Sequence, residues 1–193
     1  LSSITLPSGL SEIGAFGFYS CSNLIGQFEI PASITTIGTA AFSGTNITSF
    51  SSNSNYFTTV DGVLYNEDMT TLMQYPAGKT DASFAVPNGV QTIAGYAFRN
   101  SKLQSITIPS SVTAFNSSVF MNCTSLATVT IDSQTIAAML TSKLSARSLI
   151  QYATTVYVSE SAVSSLPAEF ANMFSEVSPS DQEGYRKYTL ISQ

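Results

Sequence analysis

Apolar residues in the first 23 positions fall at Leu1, Ile4, Leu6, Leu10, Ile13 and Phe18, with Pro7, Gly14 and Cys21 at fixed points between them. The spacing then starts again. Leu24, Phe28, Ile30, Pro31, Ile34, Ile37, Gly38, Phe42 and Thr45 repeat it, with one extra residue before Phe28. A later copy reads Leu103, Ile106, Ile108, Pro109, Val112, Phe115, Asn116, Phe120 and Cys123. Between them lies a copy without the first leucine, marked by Phe84, Val86, Pro87, Val90, Ile93, Phe98 and Ser101. A last copy opens with Leu126, Val129 and Ile131 and diverges at Asp132. Self-similarity at a period of roughly 23 residues is the signature of a stacked repeat, and it decides the fold before local propensity does.

The physics of one copy is readable. Ile4-Thr5-Leu6 alternates apolar, polar, apolar, the period of a short strand with one buried face. The same triplet recurs at 28–30, 84–86, 106–108, 129–131 and 156–158. Residues 4–6, 28–30, 84–86, 106–108 and 129–131 are expected to be neighbouring parallel strands. The proline after several of them has no N–H to donate and ends the strand. Gly14 and Gly38 are expected at turns that need positive φ. Phe18, Phe42, Phe98 and Phe120 are expected to stack as a buried aromatic ladder. One coil buries too little apolar surface to offset the entropy of ordering it, so coils must stack and the end coils need covers.

Phe42 and Phe98 are too far apart for one repeat step. The excess contains Val60, Val63, Leu64 and Tyr65, then Leu72, Met73 and Tyr75, around the turn-rich centre Asn66-Glu67-Asp68-Met69. That pattern predicts an inserted β-hairpin over about 51–83. Beyond Asp132 the repeat dissolves. Ile136, Met139, Leu140 and Leu144 have helical spacing, with Asp132 or Ser133 as N-cap. A second short helix is expected near Pro167, carrying Phe170, Met173 and Phe174, and a final strand over 185–191.

The residues quoted resemble the BspA-like leucine-rich repeats, whose pattern runs approximately L-x-x-I-x-I-P-x-x-V-x-x-I-G-x-x-A-F-x-x-C. The resemblance covers 1–132. Gly17 and Val119 stand where the pattern has Ala, and Ala94 and Asn116 where it has Gly. The resemblance implies a leucine-rich-repeat solenoid, a right-handed superhelix with short parallel strands on the concave face. An inserted hairpin with a comparable D-G-V-L-Y segment also occurs in that family. Residues 133–193 are then a degenerate closing coil and a small α/β C-terminal cap. The resemblance further implies surface-exposed or secreted proteins of host-associated bacteria and some protists, acting in adhesion and binding of host proteins.

Composition narrows the chemistry. Histidine is absent, which removes the commonest general base and metal ligand from this chain. Charged residues make up only 10%, the net charge is -5, and Ser and Thr together exceed a quarter of the chain. The few basic residues form no stripe, which argues against nucleic acid as a partner. No run approaches the roughly 20 apolar residues of a membrane span. Leu1 is already in phase with the repeat, so the chain is expected to begin inside a longer array.

Candidate sites are few. Cys21 and Cys123 share a repeat position several coils apart, too far for a disulfide, and are expected as two reduced core thiols. Asp61, Glu67, Asp68 and Asp81 are the nearest approach to a carboxylate cluster, but Glu67 and Asp68 sit where a solvated turn places acids anyway. No catalytic residue, metal site or cofactor is expected. Thr5, Glu29, Ala85, Thr107, Thr130 and Tyr157, the outward positions of the strands, are expected to form a ligand-binding row on the concave sheet. The expected role is a non-enzymatic, monomeric binding or adhesion module engaging an extracellular protein or glycan. The alternative is a structural spacer holding another domain away from the cell surface.

Overall fold

The computed structural model describes residues 3–140 and 149–191. In chain order the strands are β1 (Glu12–Ile13), β2 (Ile25–Ile30), β3 (Thr36–Ile37), β4 (Asn46–Ser52), β5 (Phe57–Val60), β6 (Val63–Asn66), β7 (Thr71–Gln74), β8 (Ser83–Ala85), β9 (Thr92–Ile93), β10 (Ser105–Ile108), β11 (Ala114–Phe115), β12 (Thr128–Ile131), β13 (Thr155–Ser159), β14 (Phe174–Val177) and β15 (Tyr185–Leu190). The helical pieces are α1 (Gln134–Met139), α2 (Glu160–Val163) and a 3-10 turn over Ala168–Asn172.

The chain is a β-solenoid of about five turns. The sheet side carries β2, β4, β8, β10, β12 and β13, and the opposite turn side carries β1, β3, β7, β9 and β11. On the sheet side β8, β10, β12 and β13 are parallel and in register, so Phe84, Ile106, Val129 and Val156 stand in one line. Of these four, Ile106, Val129 and Val156 are fully buried. Period-two alternation and one-repeat register are the same constraint seen locally and globally. On the turn side β1 pairs with β3, and β7, β9 and β11 pair in parallel with Leu72 opposite Ile93 and Ile93 opposite Phe115.

The sheet ladder is broken in two. Residues 4–6 form no strand. Segment 28–30 does not adjoin 84–86; its partner is β4, with Phe28 opposite Phe50 and Ile30 opposite Ser52. Strand β4 is the third coil's sheet strand, disguised because Ser52 and Asn53 stand where the second coil carries Ile30 and Pro31.

The inserted segment is a three-stranded antiparallel meander, β5-β6-β7. Asp61 and Gly62, both at positive φ (50° and 76°), form the two-residue link between β5 and β6. That is the geometry of a type I′ hairpin turn. Strand β7 then rejoins the solenoid on the turn side. Tyr75 takes the ladder position and stacks on Phe98 at 5.3 Å, and Phe98 stacks on Phe120 at 5.1 Å. Phe18 and Phe42 stack at 5.5 Å in the earlier coils. Two separate buried clusters result. One gathers Phe18, Phe28, Phe42 and Phe50, the other Tyr75, Phe98, Phe120 and the C-terminal half.

The glycines differ from expectation. Left-handed φ falls not at Gly14 or Gly38 but at Phe16, Ala40, Tyr96 and Ser118, one equivalent position in four coils (55–61°). Gly38 is glycine because coils touch there: a Cβ would lie 2.3 Å from the Ala15 nitrogen.

At the C-terminal end β15 runs antiparallel to β13, and β14 adds outside it. The helix expected near Pro167 is the 3-10 turn, and Phe174 opens β14 instead of sharing a helical face. Its ring still stacks on Phe170 at 5.0 Å. Helix α1 starts after Ser133, whose hydroxyl donates to the Val112 carbonyl at 2.5 Å. Leu144 lies outside the described residues. Among the described residues no helix is long and apolar enough to cross a membrane.

Candidate functional site

Four of the six sheet positions are brought into one row. Ala85, Thr107, Thr130 and Tyr157 are register neighbours across β8, β10, β12 and β13. Ala85 is exposed, Thr107 half-buried, and Thr130 only 8% exposed between its neighbours. Glu29 is exposed on the separate β2-β4 sheet, where Asn53 Nδ2 donates to its Oε1 at 2.9 Å. Thr5 is exposed outside any strand.

The row ends in a polar clasp. The Tyr157 hydroxyl donates to Asp181 Oδ1 at 2.7 Å, and Lys187 Nζ donates to Asp181 Oδ2 at 2.8 Å. The ammonium also sits 5.7 Å from the centre of the Tyr157 ring. Hydrogen bonds from Lys187 and Tyr157 hold the Asp181 carboxyl below its ordinary range, and Asp181 raises the Lys187 ammonium in return.

The acids do not converge. Asp61 lies in the tight turn between β5 and β6. Asp68 accepts from the Thr70 hydroxyl at 2.7 Å and its backbone N–H at 3.1 Å, which lowers its carboxyl pKa. Asp81 pairs with Lys79. Among the described residues no group of three or more Asp, Glu, Cys or His could hold a metal ion. Cys123 is fully buried, while Cys21, on the first coil, is only half-buried; both are free. Burial pushes the Cys123 thiol up, and its Sγ donates to the Phe98 carbonyl at 2.9 Å.

The turn side holds a cluster that linear spacing does not predict. Phe16 and Tyr19 of the first coil meet Tyr96 and Arg99 of the fourth. Phe16 lies 5.3 Å from Tyr19 and 6.3 Å from Tyr96, and Tyr19 lies 6.3 Å from Tyr96, all edge-to-face. The Arg99 guanidinium sits 4.5 Å over the Tyr19 ring, and its Nη1 donates to Ser20 Oγ at 3.3 Å. Small residues of the second coil allow this reach. A Cβ on Gly44 would meet Arg99 at 2.7 Å, and Thr39 already touches the position of a Cβ on Gly95 at 3.4 Å.

The backbone does not require those rings. Phe16 and Tyr96 occupy the left-handed position that Ala40 and Ser118 fill in other coils. A bulky side chain there is disfavoured by Cβ crowding. Phe16 is nevertheless 50% exposed. The only sequence signal was an aromatic standing where sibling coils have Ala or Ser.

The coil geometry and the register of repeat positions define a leucine-rich-repeat solenoid. The chain belongs to the BspA-type leucine-rich-repeat family, whose model matches residues 1–81 and 77–161 in six copies. No curated protein matches the sequence. Among solved structures it is similar to a leucine-rich cell surface protein from Faecalibacterium prausnitzii A2-165, at 33% identity and a TM-score of 0.61, over 67% of this chain and 35% of that one. The pneumococcal vaccine antigen PcpA is similar at 27% identity and a TM-score of 0.55, over 63% of this chain and 33% of that one. A leucine-rich-repeat protein from Eubacterium ventriosum ATCC 27560 is similar at 29% identity and a TM-score of 0.51, over 66% and 41%. The chain thus spans about a third of the length of the first of these relatives (35%).

Proposed function

We propose that this chain is a non-enzymatic binding module of a cell-surface or secreted protein, engaging an extracellular protein or glycan through an extended solenoid face. The observation carrying this reading is the turn-side cluster of Phe16, Tyr19, Tyr96 and Arg99. Tyr and Arg are the residue types that dominate interface hot spots. In a chain without Trp, Tyr and Phe rings are also the platform available to the apolar face of a sugar. The sheet row Ala85, Thr107, Thr130 and Tyr157, with Glu29 and Thr5 apart from it, supplies a neutral second surface with one aromatic. That the similar Faecalibacterium protein is a cell surface protein supports the location.

The experiment is to probe matrix-protein and glycan arrays with the labelled chain and with a Phe16→Ala/Tyr96→Ala variant. Binding to a defined component that the double variant loses supports the module. Absence of binding throughout favours the spacer, whose only requirement is a rigid stack.

A further inference from the structure

Arg99 is a cation held in place without an acid to hold it. The chain has twelve Asp and Glu against seven Lys and Arg. Lys79, Arg186 and Lys187 each pair with a carboxylate, whereas Arg99 pairs with none among the described residues. Its guanidinium is fixed by other means. The centre of the Tyr19 ring lies 4.5 Å from it, and Ser20 Oγ accepts from Nη1 at 3.3 Å. Gly44 closes on the same nitrogen, so tightly that a Cβ there would come within 2.7 Å of Nη1. Nε is enclosed, and Arg99 as a whole is half-buried, which leaves the Nη1–Nη2 end as the edge open to a ligand. A long side chain already immobilised loses little further freedom on binding.

The groups around that edge suit a sugar better than a peptide. Phe16, half exposed, and the edge-to-face rings of Tyr19 and Tyr96 offer apolar surface beside the cation. Neither tyrosine hydroxyl bonds to another of the described residues. A pyranose has an apolar C–H face for the rings and hydroxyls for the phenols. An added peptide strand needs a row of free backbone groups, and here the backbone N–H groups are spent between coils. Phe16, Phe18 and Ser20 donate to the carbonyls of Thr39, Ala41 and Ser43, and Tyr96, Phe98 and Asn100 to those of Ser117, Val119 and Met121.

We infer, resting on the reading of this cluster as the binding face, that its ligand is a sugar acid, a uronate or a sialate. The carboxylate pairs with the Nη1–Nη2 edge of Arg99 while the pyranose ring lies against Phe16 and Tyr96. Guanidinium and carboxylate are both planar and match two N–H donors to two oxygens. A densely sulfated glycan would instead require a basic stripe, and Arg99 is a single cation in a chain of net charge -5.

The test titrates the whole chain with a hyaluronan hexasaccharide and with sialyllactose, each as free acid and as methyl ester, and follows the ring proton signals of Tyr19 and Tyr96. The esters keep ring and hydroxyls and lose the charge. At least one acid should bind about tenfold more tightly than its ester, the size of one charge-assisted pair at an exposed rim. Which acid does so identifies the source. Arg99→Gln should bind acid and ester alike, and the ester comparison needs no variant, so it stands even where Arg99→Gln does not fold. Esters that bind as tightly as the acids, an acid preference that survives in Arg99→Gln, or unmoved ring signals at millimolar concentrations of both acids would overturn the inference. A neutral sugar or a protein that binds with no carboxylate preference, and is lost in Phe16→Ala/Tyr96→Ala, would sink the sugar acid alone and leave the cluster a binding face.

Discussion

The guanidinium of Arg99 rests 4.5 Å above the ring of Tyr19, joining the fourth coil to the first. A cation over an exposed aromatic face contributes about 0.5–1 kcal/mol. A double-mutant cycle with Arg99→Ala and Tyr19→Phe or Tyr19→Ala should therefore separate two effects. The cycle with Tyr19→Ala should return coupling near that size, and the cycle with Tyr19→Phe, which keeps the π face, coupling near zero. Full coupling already in the Tyr19→Phe cycle would assign the contact to the hydroxyl instead.

Phe98 is stacked on both sides, by Tyr75 at 5.3 Å and Phe120 at 5.1 Å, and is fully buried. Phe98→Ala should cost about 3–5 kcal/mol, because the neighbouring coils cannot collapse into the cavity. Thr107→Ala, half-exposed on the sheet row, should cost under about 1 kcal/mol. Urea titrations of both variants give the comparison directly. Similar losses would contradict the inside-outside assignment of the coil.

Much of this fold is legible in the chain, for a physical reason. A coil must bury the same positions in every copy, so Ile106 and Val129 announce their pairing by spacing alone. Strand β4 was hidden because Ser52 keeps the backbone pairing with Ile30 while dropping the apolar signal. The extra strand β5 is marked by Asp61-Gly62 between Val60 and Val63, a short-range turn signal inside what otherwise reads as one apolar run. The turn-side cluster could not be read. Arg99 and Ser20, beside Tyr19, are 79 positions apart, and their contact depends on how far the small residues of the second coil let the fourth approach.

The two thiols should behave differently despite their shared repeat position. Cys21 is half-buried on the first coil, whereas Cys123 is enclosed and its thiol pushed up by burial. The thiolate is the reactive form. A native protein treated with a thiol reagent should label Cys21 first, with Cys123 reacting only on unfolding. Equal labelling of both would mean that the stack opens around Phe120 and Cys123 far more readily than its packing implies.

Acid should loosen the last strands. Asp181 is held below its ordinary 3.8, so its contribution is complete above that value and disappears as pH falls through its lowered pKa. Lys187 is raised above 10.5, so its share is complete below that value and is lost only at higher pH. Between those limits both charges persist. In thermal melts, Asp181→Asn should narrow the difference between neutral pH and a pH well below 3.8, with a small effect because the pair is exposed. An unchanged pH difference would show that the clasp on Tyr157 holds nothing in place.

The most direct test of the central claim compares Phe16→Ala/Tyr96→Ala with Thr107→Ala against whichever matrix protein or glycan the unmodified chain retains. Because Ala40 already occupies the left-handed site in the second coil, the double variant should keep its stability within about 1 kcal/mol. Its Kd should nevertheless rise by about thirtyfold, the loss of roughly 2 kcal/mol expected of a hot spot. Thr107→Ala should bind as the parent does. Unchanged affinity in the double variant, with binding lost in Thr107→Ala, would contradict the account and move the interface to the sheet.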